Sequence, residues 1–394
     1  MVTLNLHINY TCPLKCRYCS QREDEKLLSQ YLTAQEMIEK VQTFMDYMQV
    51  EQCRVNISGG EPLLKFNDIQ ILMEHFPNNI YEISTSGYLL TEEKAKYFAD
   101  FGVRYILSID GGEKVTNYLR PLSSGERGYF SQLKKNIPHI LFYAPETQAK
   151  LIVPKNLISE VYNSYLELEQ LGFLEIFITP NVYENGVDNL HPELKTGTWA
   201  TEDWNEFNNQ IQLITNEIIQ GIKINKKRCM ISNILYPMYK MTFPENSNNP
   251  QINYKKMICS VLDFKAAAGP KNGANGEELG KISLCMTNIS PFISTQEELL
   301  KKVEKDYSEL NKDICPKDND CPYFNSCMYS TCLCENLKED YNKNIWIPTD
   351  FQCKTQKIYQ EKSLQCLKVL SNIKNQATDY YWAKINRINK GNEK

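Results

Sequence analysis

The sequence predicts an α/β protein: a parallel sheet wrapped by helices, followed by a small cysteine-rich domain and a C-terminal helix. Three observations predict it. Apolar segments of strand and helix period alternate about six times over the first 180 residues. Short polar, glycine-containing stretches follow several of the strand-like segments. The alternation stops near residue 225, after which most of the chain's cysteines are crowded together. A repeated β-α order implies parallel strands with helices outside them.

The elements run in order. "TLNLHIN" (3–9) alternates as a strand does. Thr33 and Glu36 read as a capping box for a helix whose apolar face carries Ala34, Met37, Ile38, Val41, Phe44, Met45 and Met48. "CRVNIS" (53–58) is a strand running into "GGEP", "DIQILMEHF" a helix, and "IYEIST" (80–85) a strand. "TEEKAKYFADFG" reads as a helix capped by Thr91 and closed by Gly102. "VRYILSID" (103–110) is a strand, "YFSQLKKNI" a helix, "AKLIVP" a strand, "LISEVYNSYLELEQLG" a helix and "LEIFITP" (174–180) a strand. A longer helix from about 199 places Trp204, Phe207, Ile211, Ile214 and Ile218 on one face. Segments 245–254 and 269–280 are polar and turn-rich, and 354–388 reads as a final helix with a charged tail. The expected domains are 1–222, 223–354 and 355–394.

Alternation by itself does not separate an open doubly wound sheet from an incomplete barrel. In both, ligands gather at the carboxyl ends of the strands. The stretch "CPLKCRYC", "GGEP", "STSG" and "SIDGG" all follow strand ends, so all four are expected at one mouth.

Composition narrows the class. The chain has 394 residues, 42% hydrophobic and 23% charged, with a net charge of −4. The slight acidic excess argues against nucleic acid as the main partner. "MVTLNLHINY" has neither the basic nor the apolar region of a secretion signal, and no apolar run reaches membrane-spanning length. A cytoplasmic location with no membrane partner is the expectation. There are fourteen cysteines. In a reducing compartment they point to metal ligation or catalysis rather than disulfides.

Cys12, Cys16 and Cys19 form C-x3-C-x2-C after the first strand. Thiolates are the usual ligands of iron–sulfur clusters, and three ligands leave one iron of a [4Fe–4S] cluster open. A structural zinc site would use paired C-x2-C units and a closed four-ligand shell, and no nearby His or Cys completes one. Cys53 reads as a small apolar core side chain, and His7, His75, His139 and His191 are scattered, with His7 expected to be packed or satisfied.

This cysteine spacing, with the aromatic Tyr18 before the third cysteine and "GGEP" (Gly59, Gly60, Glu61, Pro62) after the second strand, resembles the radical S-adenosylmethionine (SAM) enzymes. The resemblance covers about residues 1–220. It implies a partial (β/α)6 TIM-like barrel in which the open iron chelates SAM, and reductive cleavage yields a 5′-deoxyadenosyl radical. By the same resemblance the GGEP glycines let the backbone approach the SAM amino group, and Glu61 accepts from it. Ser84, Ser108 and Asp110 would hold the ribose and methionine ends, and Arg120 the carboxylate.

The later cysteines resemble the SPASM extension of peptide-modifying radical SAM enzymes, which binds two auxiliary [4Fe–4S] clusters. That makes three clusters in all. Cys315, Cys321, Cys327 and Cys353 would hold the second auxiliary cluster; Cys259, Cys285 and either Cys334 or Cys332 the first. Three spacings depart from the pattern: the long gap from Cys259 to Gly280, the x5 step from Cys315 to Cys321, and the ambiguity of Cys332 and Cys334. The fourth ligand of the first auxiliary cluster is left open among the spare member of that pair, Cys229 and none. Cys366 reads as a helix residue outside the ligand set.

The resemblance implies modification of a ribosomally made precursor peptide or protein by a thioether or carbon–carbon crosslink. The alternative is a side-chain dehydrogenase such as an anaerobic sulfatase-maturing enzyme. Met286 stands after Cys285, where that branch carries a catalytic Asp, which disfavours the alternative. An electron donor such as flavodoxin or ferredoxin is implied. The first barrel strand begins at once, so no N-terminal leader-binding domain is expected, and a separate leader-binding protein is a further candidate partner.

Overall fold

Six strands appear where the alternation predicts them: β1 (Thr3–His7), β2 (Arg54–Ser58), β3 (Ile80–Thr85), β4 (Arg104–Ser108), β5 (Gln148–Val153) and β6 (Glu175–Pro180). The computed structural model describes residues 3–19, 31–125, 128–181, 199–243, 265–268, 320–323 and 350–392, together with Lys305. Two further strands were not anticipated, β7 (Met230–Ile231) and β8 (Lys265–Ala268). Neither carries a signal: β7 is two residues long, and Lys-Ala-Ala-Ala has no β-branched or aromatic residue.

The chain divides into two compact units, one of residues 1–10, 26–81 and 240–357, the other of 11–25, 82–239 and 358–394. The first holds β8, β1 and β2, with β1 paired in parallel to both and His7 opposite Ser58. The second runs from the Glu82–Thr85 part of β3 through β4, β5 and β6 to β7, again all parallel. The result is an α/β fold on parallel strands.

Strands β2 to β6 alternate: Val55, Ile57, Tyr105, Leu107, Leu151 and Ile178 are buried, whereas Asn56, Ser58, Ser84, Ser108, Lys150 and Thr179 are half-buried. In β1 both faces are buried, with Asn5 alone half-buried. Parallel strands covered on both sides read as continuous apolar runs. Here one face is apolar, and the other mixes polar residues with Ile106, Ile152 and Phe177.

Helix α1 (Ala34–Met48) starts with the predicted capping box: the Glu36 N–H donates to Thr33 Oγ1 at 3.3 Å, and the Thr33 N–H to Glu36 Oε2 at 2.8 Å. A 3-10 turn (Pro62–Lys65) leads into α2 (Phe66–His75). At α3 (Glu92–Ala99), Thr91 has the backbone of a cap but its side chain makes no capping bond, unlike the expectation; Gly102 closes the turn beyond with φ +61°. Helix α4 (Glu113–Leu119) was not foreseen. It is barely two turns long, too short for a periodic pattern to stand out. Helix α5 (Tyr129–Tyr143) continues through Pro138, and α6 (Val161–Gln170) is preceded by a 3-10 turn (Lys155–Glu160). Helix α7 (Thr201–Lys223) buries all five predicted face residues, and α8 (Ser232–Thr242) follows β7.

The single final helix is in fact two, α9 (Asp350–Asn372) and α10 (Gln376–Asn392). Asn375 separates them. Its side chain accepts from the Thr378 N–H at 2.9 Å, and its own N–H donates to Thr378 Oγ1 at 2.9 Å. This reciprocal cap starts a new helix. From Ile358 onward the chain docks within the second unit: Tyr359 donates to the Ile178 carbonyl, Ser363 to that of Ile234, and Asn375, between the helices, to that of Ile222. The predicted loops 245–254 and 269–280 lie outside the described residues. Among the described residues no helix is long and apolar enough to cross a membrane.

Candidate active site

The three-cysteine loop belongs to the second unit, where it lies antiparallel to residues 118–123. The Lys15 N–H donates to the Pro121 carbonyl at 2.6 Å, the Arg17 N–H to that of Leu119 at 2.8 Å, and the Ser123 N–H to that of Pro13 at 2.8 Å. Leu14 and Leu122 form the bridge between them, and Leu14 is buried. Arg17 adds a bond from Nε to the Tyr118 carbonyl at 2.7 Å and lays its guanidinium 4.5 Å from the Tyr118 ring centre. A loop with no secondary structure of its own is thus fixed by the segment that ends α4.

Cys12, Cys16 and Cys19 are half-buried, and none is in a disulfide. Two sulfurs face donors: the Leu14 N–H lies 3.4 Å from Cys12 Sγ, and Arg120 Nη1 3.9 Å from Cys16 Sγ. Hydrogen-bond donors and positive charge favour thiolate over thiol.

Behind the loop, Tyr18, Asp110 and Arg120 form one network. Asp110 accepts from Arg120 Nε at 2.6 Å and Nη2 at 3.2 Å, from the Tyr18 hydroxyl at 2.8 and 3.1 Å, and from the Ile152 N–H at 3.0 Å. The side chains of Arg120 and Asp110 are 7% and 0% exposed, so this is a buried pair and not a surface one. Burial pushes the Tyr18 hydroxyl well above its ordinary pKa, and the Asp110 carboxylate holds Arg120 firmly protonated despite its burial. The Asp110 N–H donates to Thr116 Oγ1, which in turn donates to the Gly111 carbonyl, anchoring the start of α4.

Ser84 and Ser108 are half-buried at the ends of β3 and β4. The Tyr129 hydroxyl lies 2.6 Å from the Ser86 carbonyl and 2.9 Å from that of Ser108, tying these two strand ends together.

In the first unit the "GGEP" turn wraps Asn9. The Gly60 N–H donates to the Asn9 carbonyl at 2.8 Å, and Asn9 Nδ2 to the Glu61 carbonyl at 2.9 Å. A Cβ on Gly59 would stand 2.3 Å from Asn9 Oδ1 and 2.8 Å from the Asn9 carbonyl. Glycine is therefore required at 59 by a neighbouring strand end. Glu61 is fully buried, and its Oε1 accepts from the Leu63 N–H at 3.1 Å, capping the 3-10 turn that Pro62 begins.

His7 is packed as expected, 2% exposed and 4.6 Å from the Tyr10 ring. It is not satisfied: neither ring nitrogen has a hydrogen-bond partner, and burial lowers its pKa to about 4. His75 packs edge-on against Phe76, His139 faces Glu92 at 3.7 Å, and His191 lies outside the described residues. Cys53, Cys229 and Cys366 are buried in the core; burial pushes the Cys53 and Cys366 thiols up to about 12 and the Cys229 thiol well above its ordinary value. Of the later cysteines, Cys321 and Cys353 are half-buried and not in disulfides. Cys259, Cys285, Cys315, Cys327, Cys332 and Cys334 lie outside the described residues.

No group of three His, Cys, Asp or Glu that could hold a metal ion is found among the described residues. A single ion needs every ligand atom about 2–2.3 Å from one point. Cysteines holding a cluster bind different irons, and soft sulfur donors flanked by N–H groups suit iron–sulfur ligation. The unforeseen partners are Asn9 beside GGEP in the first unit, and Thr116, Tyr118, Tyr129 and the 118–123 strap in the second. Only Asn9, beside the cysteine motif in "NYTC", carries a nearby signal.

An α/β fold on parallel strands with a braced three-cysteine loop defines a class of candidate iron–sulfur proteins. More particularly, residues 6–139 match the family model of the radical SAM superfamily, so the chain carries a radical SAM domain. It is 26% identical to an uncharacterized protein of Methanocaldococcus jannaschii over 53% of this chain and 69% of that one. It is 23% identical to the radical SAM cyclopropyl synthase TigE of Paramaledivibacter caminithermalis (46% and 43% covered). It is 27% identical to a cysteine-type anaerobic sulfatase-maturating enzyme of Clostridium novyi (42% and 47% covered). The chain thus spans less than half the length of the last two relatives. Among solved structures, anSMEcpe with bound AdoMet superposes with a TM-score of 0.68 at 17% identity, covering 98% of both chains. SuiB of Streptococcus suis bound to precursor peptide SuiA gives 0.53 at 16%, covering 89% and 75%. At these identities the likeness is one of fold.

Proposed function

We propose that the chain is a radical SAM enzyme that modifies a ribosomally made peptide by forming a thioether or carbon–carbon crosslink. The observation that carries this reading is the braced loop of three cysteines, none in a disulfide, inside the matched domain. Cys12, Cys16 and Cys19 would hold three irons of a [4Fe–4S] cluster. Cluster and SAM, when bound, supply a 5′-deoxyadenosyl radical that abstracts a hydrogen atom. The chain's own residues position and shield this chemistry. Gly59, Gly60, Glu61 and Pro62 offer a turn with backbone acceptors for an ammonium group. Ser84 and Ser108 sit half-buried at strand ends, where hydroxyls suit a ribose or an amino-acid end. Tyr18, Asp110 and Arg120 hold the loop.

Cys259, Cys285, Cys315, Cys321, Cys327, Cys353 and one or both of Cys332 and Cys334 are proposed to bind two auxiliary clusters in a domain of residues 223–354, after a barrel of residues 1–222. Peptide-bound structures of SuiB and anSMEcpe support a precursor peptide as partner. A flavodoxin or ferredoxin would deliver the electron, and a separate leader-binding protein remains a candidate. The second reading, side-chain oxidation as in sulfatase maturation, is favoured by the C. novyi relative and opposed by Met286 after Cys285.

The test is anaerobic reconstitution followed by SAM and dithionite. Formation of 5′-deoxyadenosine and about twelve irons per chain, three clusters of four, are expected. No 5′-deoxyadenosine from fully reconstituted protein sinks the enzyme reading, and about four irons sinks the auxiliary clusters. Incubation with peptides encoded beside the gene then separates crosslinking, which forms a new bond between two residues, from simple loss of two hydrogens.

A further inference from the structure

We propose that the Arg120–Asp110 pair is a fixed dipole that raises the reduction potential of the cluster held by Cys12, Cys16 and Cys19, with Arg120 as a positioning residue for Cys16. The inference rests on the radical SAM reading of that loop.

Arg120 is immobilised from two directions. Its main chain lies in the strap, between the Leu119 and Pro121 carbonyls that accept from Arg17 and Lys15. Its side chain is buried, with Nε and Nη2 both bonded to Asp110. Asp110 thus takes the side-on pair of N–H groups, and the remaining nitrogen, Nη1, faces Cys16 Sγ at 3.9 Å. Asp110 is saturated by Tyr18 and the Ile152 N–H as well. Swinging the guanidinium away would leave a buried carboxylate short of its cation, so the positive end of the pair stays turned toward the sulfur. The Leu14 N–H at Cys12 Sγ adds a contribution of the same sign.

When one electron from a low-potential donor enters, with no proton taken up, the cysteine sulfurs gain negative charge. A buried cation and N–H donors at those sulfurs stabilise that added charge, and fields act strongly where water is excluded. The reduced state is favoured and the potential rises.

The experiment is a redox titration of the reconstituted protein without SAM, followed by the electron paramagnetic resonance signal of the reduced cluster. The six later cysteines assigned to auxiliary sites with Cys321 and Cys353 are replaced by Ala throughout, so that one cluster is observed. Asp110→Asn/Arg120→Gln removes both charges while keeping shape, and Arg120→Lys keeps the charge but cannot serve both partners. The expected result is a potential more negative than the parent's in the double variant, and a smaller shift in the same direction in Arg120→Lys. Tyr18→Phe leaves the guanidinium in place and is expected not to shift it. An unchanged potential in both Arg120 variants, with SAM affinity alone reduced, overturns the proposal in favour of a direct grip on SAM. If the double variant takes up no cluster, Arg120→Lys decides. Failure of the parent itself to take up iron and sulfide would instead defeat the radical SAM reading.

Discussion

The GGEP turn and the three-cysteine loop, each within its own unit, are held in different ways. "GGEP" is braced by a neighbour, the end of the strand that β2 pairs with, through Asn9. The cysteine loop is braced by residues about a hundred positions away in the sequence, the 118–123 strap and Arg120. The first arrangement is set by side-chain size at a turn, the second by a buried ion pair and a borrowed ladder of backbone bonds. Disturbing each should therefore give different signatures.

The largest effect is expected from Cys16→Ala, which leaves the backbone ladder to the strap intact but removes a ligand. 5′-Deoxyadenosine formation should fall to background in a chromatographic assay while the fold survives by circular dichroism. Next comes the brace itself. Arg120→Ala strands a fully buried carboxylate and should cost about 3–5 kcal/mol of stability in denaturant melts. A loss below about 1 kcal/mol would show that the fold does not depend on the buried pair.

His7 gives an effect of intermediate size that depends on pH. Its folded pKa of about 4 lies below that of a free imidazole, about 6.5, because burial disfavours the charged ring. As pH falls the unfolded chain takes up the proton first, so stability present above about pH 6.5 is lost as pH approaches 4, by up to about 3 kcal/mol. Melts of His7→Phe at pH 7 and pH 5 should converge relative to the parent; equal slopes in both proteins would contradict this. The smallest effect is local. Gly59→Ala meets Asn9 and should cost about 1–3 kcal/mol. Asn9→Ala in the same chain should restore only part of it, since the Asn9 backbone carbonyl is also in the way.

Much of the fold was legible because its signals are local. The Thr33–Glu36 box starts α1 as read, and the apolar face from Trp204 to Ile218 is buried throughout. Local reading failed where the deciding partner is remote or the element short. Thr91 looks like a cap, yet its side chain does not act as one. Asn375 hides a helix start inside an otherwise helical run. Arg120 was read as a candidate for the SAM carboxylate, and nothing in "NYLRP" announces that Asp110 and Cys16 converge on it. His7 was expected to be packed or satisfied and is packed; that neither ring nitrogen has a partner, where most buried polar groups do, is visible only in three dimensions. The six later cysteines outside the described residues keep the auxiliary clusters at the level of spacing alone.

The docking of α9 and α10 has a consequence for how the chain is made. Tyr359, Ser363, Asn375 and Tyr381 close hydrogen bonds with residues 129–181 positions earlier, at Ile178, Ile234, Ile222 and Arg228. During synthesis β6, α7 and α8 leave the ribosome well before the helices that cover them. Loop closure over such separations is slow, and partly covered strands are the form most exposed to aggregation. The second unit is thus a late-completing one: its yield in a cell should depend on chaperone supply and translation rate more steeply than its final stability suggests.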